Sequence, residues 1–243
     1  MPVRSATDLK SLSRDALNSF VAENLPHLTE DEALGVLENP HVTPRLIGTI
    51  ALNQRLTSFY SVRLLLVSHR QTPQAHAVKF VHYLYWPDLV RLSVEVTVPA
   101  TTRRAIDVQL VNRVHKLNLG EKITSARRCS PALIKVLLFD RDPKVFGALL
   151  NNSRLREDDL LVLANSSEAS PEQLTMIAED RRWSFRHAIR RALVMNPTTP
   201  RSTAASQLRF LPRRDLRDIY GNPKTSVYLR RCIERMTDRV ISE

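Results

Sequence analysis

Two stretches of this chain repeat each other without a gap and decide its predicted fold. The first is PRLIGTIALNQRLTSFYSVRLLLVSHRQTP, from Pro44 to Pro73, and the second is PEQLTMIAEDRRWSFRHAIRRALVMNPTTP, from Pro171 to Pro200. The repeat offset is therefore 127 in residue number, and it continues past the second proline to give 16 identities over 63 ungapped positions. So many ungapped matches are far above chance, and we therefore expect the two copies to share one structure.

Each copy follows one helical pattern. A hydroxyl residue followed by proline opens a predicted helix, because the hydroxyl can cap the helix and proline suits its first position. The five pairs are Thr43-Pro44, Thr72-Pro73, Ser130-Pro131, Ser170-Pro171 and Thr199-Pro200. Apolar residues then recur at helical spacing, and Asn53, Asp140 and Asp180 mark turns before a second helix. For the second copy this pattern predicts that the second helix runs from Ser184 to Met195.

The pattern predicts an all-α fold, an α-solenoid of stacked antiparallel helix pairs. One helix pair cannot bury its apolar faces alone, so neighbouring pairs must stack. We expect residues 1–38 to form an N-terminal helical cap and residues 39–129 a first helical-repeat block. Residues 130–243 form the second block, basic at its C-terminal end, in one continuous solenoid. Only five glycines argue against a β-rich alternative, since tight β-turns need them.

The repeated phrase resembles a known family. MNPTTP at Met195–Pro200 and LTMIAEDRRWSFRHAIRRALVMNP at Leu174–Pro197 are similar to the leucine-rich repeat variant, a member of the wider HEAT-like α-solenoid group. The similarity covers about residues 40–239 in copies of decreasing clarity. The family has shorter and more regular units, and residues 105–128 depart from its pattern. The resemblance implies the fold and leaves the function open, because such solenoids have many roles.

Positive charge is concentrated at the C-terminal end of the chain. The net charge is +11, yet residues 1–180 hold 21 Lys+Arg and 20 Asp+Glu, whereas residues 181–243 hold 15 and 5. Arginine outnumbers lysine 29 to 7, and its planar guanidinium suits bidentate contact with phosphate or carboxylate. The sequence has no apolar run long enough for a signal peptide or a membrane span. It therefore predicts a cytoplasmic chain with no membrane attachment.

Arginines of this basic region are candidates for binding another macromolecule. Arg182, Arg186 and Arg190 follow i, i+4, i+8 spacing and are predicted to share one helix face. The full candidate set is Arg182, Arg186, Arg190, Arg191, Arg213, Arg214, Arg217, Arg230, Arg231 and Arg235. In a solenoid these rows could merge into a cationic stripe for a phosphate backbone or an acidic partner. The alternative is ordinary solvated helix faces, with the Arg63/Arg190 position serving a structural ion pair.

The segment HYLYW is a second candidate surface. It could form an exposed aromatic contact for a base or a peptide, or it could pack between repeats. The candidate aromatic contact residues are His82, Tyr83, Tyr85 and Trp86. In the second copy, arginines largely replace these rings. The difference predicts divergent surfaces on a common scaffold.

The sequence contains no recognisable catalytic motif, and we expect no catalytic, cofactor-binding or metal-binding residues. The HEAT-like group does include a DNA glycosylase for alkylated bases, with tryptophans and an aspartate over a basic concave face. Trp86, Asp88 and Trp183 could take such parts, although their spacing departs from that family's pattern. Asp88 and Asp215 are otherwise explained as helix N-caps.

These observations predict a non-enzymatic helical-repeat scaffold that binds another macromolecule. A protein is the leading partner. Nucleic acid, either DNA or structured RNA, bound through the arginine-rich C-terminal repeats is the alternative. A HEAT-like glycosylase is a remote third hypothesis.

Overall fold

The computed structural model describes the backbone of residues 6–241 and the side chains of residues 8–236. Within that range the chain is all-helical, without a β-strand, which confirms the predicted all-α class. The chain forms two compact units that divide between Lys116 and Leu117, inside the off-pattern segment 105–128. The division into a cap and two repeat blocks stays a prediction. The first five and the last two residues of the chain lie outside the described range.

The first unit consists of short helices joined by tight connections. The helices are α1 (Ala6–Leu9), α2 (Arg14–Asn24), α3 (Glu30–Leu37), α4 (Pro44–Leu52), α5 (Tyr60–Ser68), α6 (Gln74–Val81), α7 (Trp86–Ser93) and α8 (Ala100–Arg113). Single 3-10 turns precede α5 and follow α8. Helix α3 packs against α1 and α5, and α8 packs against α6 and α7.

The second unit continues in the same style. Its helices are α9 (Leu119–Ala126), α10 (Pro131–Leu137), α11 (Pro143–Leu150), α12 (Glu157–Ala164), α13 (Pro171–Glu179), α14 (His187–Met195), α15 (Arg201–Leu208), α16 (Arg213–Gly221) and α17 (Val227–Ile241). Each odd-numbered helix from α9 to α17 packs against the next odd-numbered one, and α12 packs against α14. The connections of this unit form two sets. An odd-to-even connection leads from an odd-numbered helix to the next even-numbered one, and an even-to-odd connection leads from an even-numbered helix to the next odd-numbered one.

The repeat offset of the sequence recurs in the helix boundaries. The first residues of α3 to α8 correspond, at that offset and in the same order, to the first residues of α12 to α17. Framework hydrogen bonds recur at the same offset. The Arg55 guanidinium donates to the carbonyl oxygen of Leu28 at 2.6 Å, and the Arg182 guanidinium donates to that of Leu155 at 3.1 Å. Six helices of each unit thus begin at positions that differ by this offset.

Helix capping follows the predicted pairs at three of five sites. The hydroxyls of Thr43, Ser130 and Ser170 accept the amide three residues later, as predicted. The prediction is wrong for Thr72 and Thr199, because α6 and α15 begin one residue later and proline occupies the N-cap. Both threonines are instead buried in the preceding turn, where their amides donate to carbonyl groups three residues back.

The predicted turn residues are confirmed. The side-chain oxygens of Asn53, Asp140 and Asp180 each accept the amide two residues later, at 3.1, 3.0 and 2.7 Å. Such a hydrogen bond lets the side chain stand in for the backbone and reverses the chain after a helix. Asn and Asp therefore end helices here without requiring glycine.

Candidate macromolecule-binding surfaces

Arg182 is part of the framework rather than a free cation. Its Nη1 donates to the carbonyl oxygen of Asn152 and its Nη2 to that of Leu155, both at 3.1 Å. Its Cζ lies 4.4 Å from the centroid of the buried Trp183 ring. These contacts fasten one odd-to-even connection to the previous one, because both terminal nitrogens of Arg182 donate to carbonyl groups of that connection.

The predicted row of three arginines on one helix face is wrong. Arg182 and Arg186 lie in the connection between α13 and α14, and Arg190 is the first of the three to be helical. The Asp180 carboxylate accepts the amides of Arg182 and Trp183, at 2.7 and 3.2 Å, in the turn that the sequence predicted at Asp180. Arg182 belongs to that turn, so the i, i+4, i+8 spacing does not place the three arginines on one helix.

Charged groups at the start of α14 face carboxylates of neighbouring helices. Arg186 Nη1 lies 3.7 Å from Glu157 of α12. Arg191 Nε lies 3.8 Å from Asp215 of α16, and His187 Nε2 lies 2.5 Å from the other oxygen of that carboxylate. This surface is therefore largely balanced in charge, because its arginines face carboxylates of neighbouring helices.

Asp88 and Asp215 are not helix N-caps, contrary to the prediction. Each lies inside the first turn, because α7 and α16 begin two residues earlier. Their carboxylates instead contact the start of another helix. Asp88 accepts a hydrogen bond from the Tyr60 hydroxyl at 2.5 Å, at the position where Asp215 meets His187.

Arg190 has the structural role expected of a position that is basic in both copies, but its partner is not a carboxylate. Its Nε donates to the carbonyl oxygen of Ser184 at 2.6 Å, and its Cζ lies 4.2 Å from the Phe210 ring centroid. Arg63 lies over Tyr83 at 5.6 Å in the equivalent place. The arginine thus ties two consecutive connections together in each unit.

The remaining candidate arginines are on α16 and α17. Arg230 is half-buried and donates to the carbonyl oxygen of Asn222 at 2.9 Å. The other five are exposed, and their guanidinium groups make no hydrogen bond or ion pair with described residues: Arg213, Arg214, Arg217, Arg231 and Arg235. Half of the predicted set is therefore free to meet a ligand.

The HYLYW segment divides into exposed and buried rings. Tyr83 is 56% exposed and Tyr85 is 64% exposed, and His82 is exposed beside them. Trp86 is buried, with 7% of its surface exposed. The Tyr85 ring lies against the Tyr60 ring, with centroids 4.3 Å apart. We define the tyrosine surface as His82, Tyr83 and Tyr85, without the predicted Trp86.

The residues considered for a glycosylase do not form an exposed site. Trp86 and Trp183 both lie in the core, with 7% and 3% of their surface exposed. Asp88 is held by the Tyr60 hydroxyl and by Arg91, whose Nη2 is 3.2 Å away. A base flipped out of a duplex needs an open aromatic pocket, and neither indole offers one.

The contact between Tyr60 and Asp88 predicts an unusual titration. Burial, followed by the hydrogen bond to the Asp88 carboxylate, raises the pKa of Tyr60 from 10.0 to about 12. The folded chain therefore binds this proton more tightly than the unfolded chain. The stability that the contact contributes below pH 10 is lost as the pH rises through about 12.

In an ultraviolet titration we expect Tyr60→Phe to remove the last-titrating phenol, and Asp88→Asn to lower the pKa of Tyr60. Superimposable wild-type and Tyr60→Phe curves would contradict this assignment.

Sequence reasoning missed a set of arginines in the odd-to-even connections of the second unit. These connections are residues 127–130, 151–156, 180–186 and 209–212. Eight exposed arginines in them or directly after them form what we call the basic edge: Arg127, Arg128, Arg154, Arg156, Arg181, Arg209, Arg213 and Arg214. None of their guanidinium groups pairs with a carboxylate of the described residues. The signal was available, since one arginine per connection recurs at nearly equal intervals along the chain, at Arg127, Arg154, Arg181 and Arg209.

Other features of the described residues offer little chemistry. An open groove of about 430 Å³ between α12 and α14 has largely apolar walls, with His187 and Arg191 at its margin. No three His, Cys, Asp or Glu side chains in the described part of the chain are grouped so as to hold a metal ion. None of the described helices combines the length and apolarity that crossing a membrane requires.

Comparison with known proteins assigns no family. No family model, curated protein or solved structure matches this chain.

Proposed function

We propose that this chain is a non-enzymatic α-solenoid scaffold, built from two copies of one helical-repeat unit, that binds another macromolecule. One observation carries the proposal. Framework contacts recur at the repeat offset, whereas exposed residues at equivalent positions differ. Arg55 and Arg182 donate to carbonyl oxygens at equivalent positions of the two copies. In contrast, the exposed Tyr85 of the first copy is replaced by Pro212 in the second. A repeated framework with altered surfaces supports the proposal that the surfaces carry the function.

For the first unit we propose a protein partner at the tyrosine surface. Tyrosine is enriched among the residues that dominate binding energy at protein interfaces. Tyr85 is supported by the Tyr60 ring, and Tyr83 has the Arg63 guanidinium 5.6 Å from its ring centroid. Rings that are already positioned lose less side-chain freedom on binding, which favours affinity. A cytoplasmic location for this scaffold stays a prediction from the sequence.

The double variant Tyr83→Ala/Tyr85→Ala tests this proposal. The full chain is immobilised and used to capture proteins from nuclease-treated source lysate, and the captured partner is then titrated as a purified protein. We expect at least a tenfold loss of affinity in the double variant, because each buried interface tyrosine contributes roughly 1–2 kcal/mol. Tyr228→Ala is the matched control, since it removes an exposed ring (42%) from the second unit.

Two outcomes would count against a protein partner at this surface. One is a captured protein whose affinity is unchanged in the double variant. The other is that nuclease treatment removes everything that the immobilised chain captures, which would leave nucleic acid as the partner. The basic edge favours that second candidate function independently.

A further inference from the structure

We propose that the basic edge of the second unit binds the phosphate backbone of a nucleic acid. This site is separate from the tyrosine surface, and it takes from the proposed function only the stacked-helix framework. Six of its eight arginines lie outside the set that the sequence indicated. The connections of this edge lie side by side, their positive charges exceed the nearby negative ones, and the equivalent connections elsewhere lack such an excess.

Hydrogen bonds join the first three odd-to-even connections in order. Asn152 Nδ2 donates to the carbonyl oxygen of Ala126 at 2.8 Å and contacts Cys129 Sγ at 3.5 Å. The second connection is thereby fastened to the first. Arg182 then donates to the carbonyl oxygens of Asn152 and Leu155, which fastens the third connection to the second.

Arg190 joins the third connection to the fourth. It donates to the carbonyl oxygen of Ser184, and its Cζ lies 4.2 Å from the centroid of the Phe210 ring. All four connections therefore lie along one edge of the unit. Packed helices are about 8–10 Å apart, so the edge is roughly 30 Å long. It presents eight arginines over four connections, an average of two for each connection.

The nearby carboxylates do not neutralise this edge. Asp180 accepts backbone amides in its turn, and Asp159 accepts the amide of Arg156 at 3.0 Å. Glu157 faces Arg186. Asp158 is exposed, and Asp159 and Asp180 keep their charge when they accept neutral amides, so three carboxylates stand against eight arginines. An excess of this size on one edge attracts anions from a distance and is screened by salt.

The opposite edge of the same unit is not basic. The even-to-odd connections are residues 138–142, 165–170, 196–200 and 222–226. With the first two residues of each following helix included, as for the basic edge, the charged residues are four basic and four acidic: Arg141, Lys144, Arg201, Lys224, Asp140, Asp142, Glu168 and Glu172. In the first unit the connections equivalent to the basic edge, residues 25–29, 53–59 and 82–85, carry Arg55 alone, which serves the framework. A general excess of arginine in the chain therefore does not explain the basic edge.

Periodic arginines suit a phosphate backbone better than an acidic protein. A duplex presents one negative charge for about every 1.7 Å of its axis, so an edge of roughly 30 Å faces several phosphates at once. The guanidinium fork binds phosphate oxygens in pairs. Contacts to the backbone carry no base sequence, so we expect binding without sequence preference.

Two charge-matched variants of the full chain test the proposal. The edge variant removes one arginine from each connection: R127Q, R154Q, R181Q and R209Q. The control variant removes four positive charges in or next to the even-to-odd connections of the same unit: R141Q, K144Q, R201Q and K224Q. Glutamine is the natural choice, because Gln54 occupies the position equivalent to Arg181. All eight side chains are exposed, so circular dichroism should show both variants folded.

Fluorescence anisotropy with a labelled DNA duplex and with an RNA hairpin provides the readout. At about 50 mM salt we expect the edge variant to raise Kd between about tenfold and a hundredfold, and the control variant less than about threefold. The slope of log K against log salt should flatten by about one for each arginine that no longer meets a phosphate. Whichever probe binds more tightly identifies the form of nucleic acid.

Three results would overturn the proposal. The first is the absence of wild-type binding to either probe at low salt. The second is an equal loss in both variants, because net charge alone would then explain the affinity. The third is binding of polyglutamate as tight as that of the nucleic acids and equally weakened in the edge variant, which would assign the edge to acidic proteins.

Discussion

Replacing Phe146 by alanine is expected to destabilise the second unit by about 4 kcal/mol. Phe146 lies on α11, which packs against both α9 and α13, and none of its surface is exposed. The substitution removes buried apolar surface and also leaves a cavity, since the surrounding helices can collapse only in part. Phe146 is the largest fully buried side chain described, so its loss should exceed that of any single aliphatic residue.

Urea denaturation, followed by fluorescence, measures this loss in the second unit alone. The chain has two tryptophans, one in each unit, so a Trp86→Phe background leaves Trp183 as the reporter. Phe139→Ala is the matched control, because this ring is 37% exposed in the same unit and should cost about 1 kcal/mol or less. Similar losses for Phe146→Ala and Phe139→Ala would show that α11 does not form the centre of the unit.

Replacing Asn196 by alanine is expected to lower the free energy of unfolding by about 3 kcal/mol, the second largest effect. Its side-chain amide donates to the carbonyl oxygens of Ala164 and Ser166, at 2.7 and 2.9 Å. Its side-chain oxygen accepts the amide of Thr198 at 2.9 Å. Asn196 is 7% exposed, so alanine would leave several backbone polar groups buried without partners. The loss of those partners, more than the missing bonds themselves, makes the substitution costly.

Two further variants test whether the loss comes from these hydrogen bonds of Asn196 to the preceding connection or from removing any asparagine side chain. Asn165→Ala removes an exposed side chain that bonds within its own helix, to the carbonyl oxygen of Leu161 at 2.8 Å, and should cost about 0.5 kcal/mol. Asn196→Asp keeps the size but turns an acceptor toward two carbonyl groups, so it should be at least as damaging as alanine. If Asn196→Asp is as stable as the wild type, these hydrogen bonds contribute little.

Much of the helical framework could be predicted from sequence because it is encoded locally. Ser170 and Pro171 define the start of α13 through the hydroxyl cap and the fixed φ of proline. The turn at Asp180 was predicted, but α14 begins at His187 rather than Ser184, because the amides of Ser184 and Arg186 still donate to carbonyl groups within the connection, and helical periodicity does not register such turns. Thr72 and Thr199 were misassigned for a related reason, since the preceding turn already engages their amides.

The candidate surfaces were harder to predict because the partner of an arginine lies in another repeat. Arg191 of α14 meets Asp215 of α16, and Arg182 meets the carbonyl oxygen of Leu155 in the preceding odd-to-even connection. A sequence pattern gives the spacing within one helix but not which group a neighbouring repeat presents. For the basic edge, the sequence did show the spacing: its arginines recur at intervals of one helix pair. The sequence did not show that these arginines lie in connections on one edge of the unit, and the proposal depends on that position.

The matched register of the two units bears on how the chain avoids misassembly while it folds. Since α4 and α13 occupy the same place in their units, each could dock into the wrong copy. Gln173 of α13 donates to the carbonyl oxygens of Leu138 and Asp140, both at 3.0 Å, whereas the equivalent Leu46 of α4 is a buried apolar residue. An exchanged helix would bury an amide without acceptors or place leucine against two carbonyl groups, at roughly 1–3 kcal/mol each. Divergence at such positions makes the two copies poor substitutes for one another, which keeps each helix with its own unit.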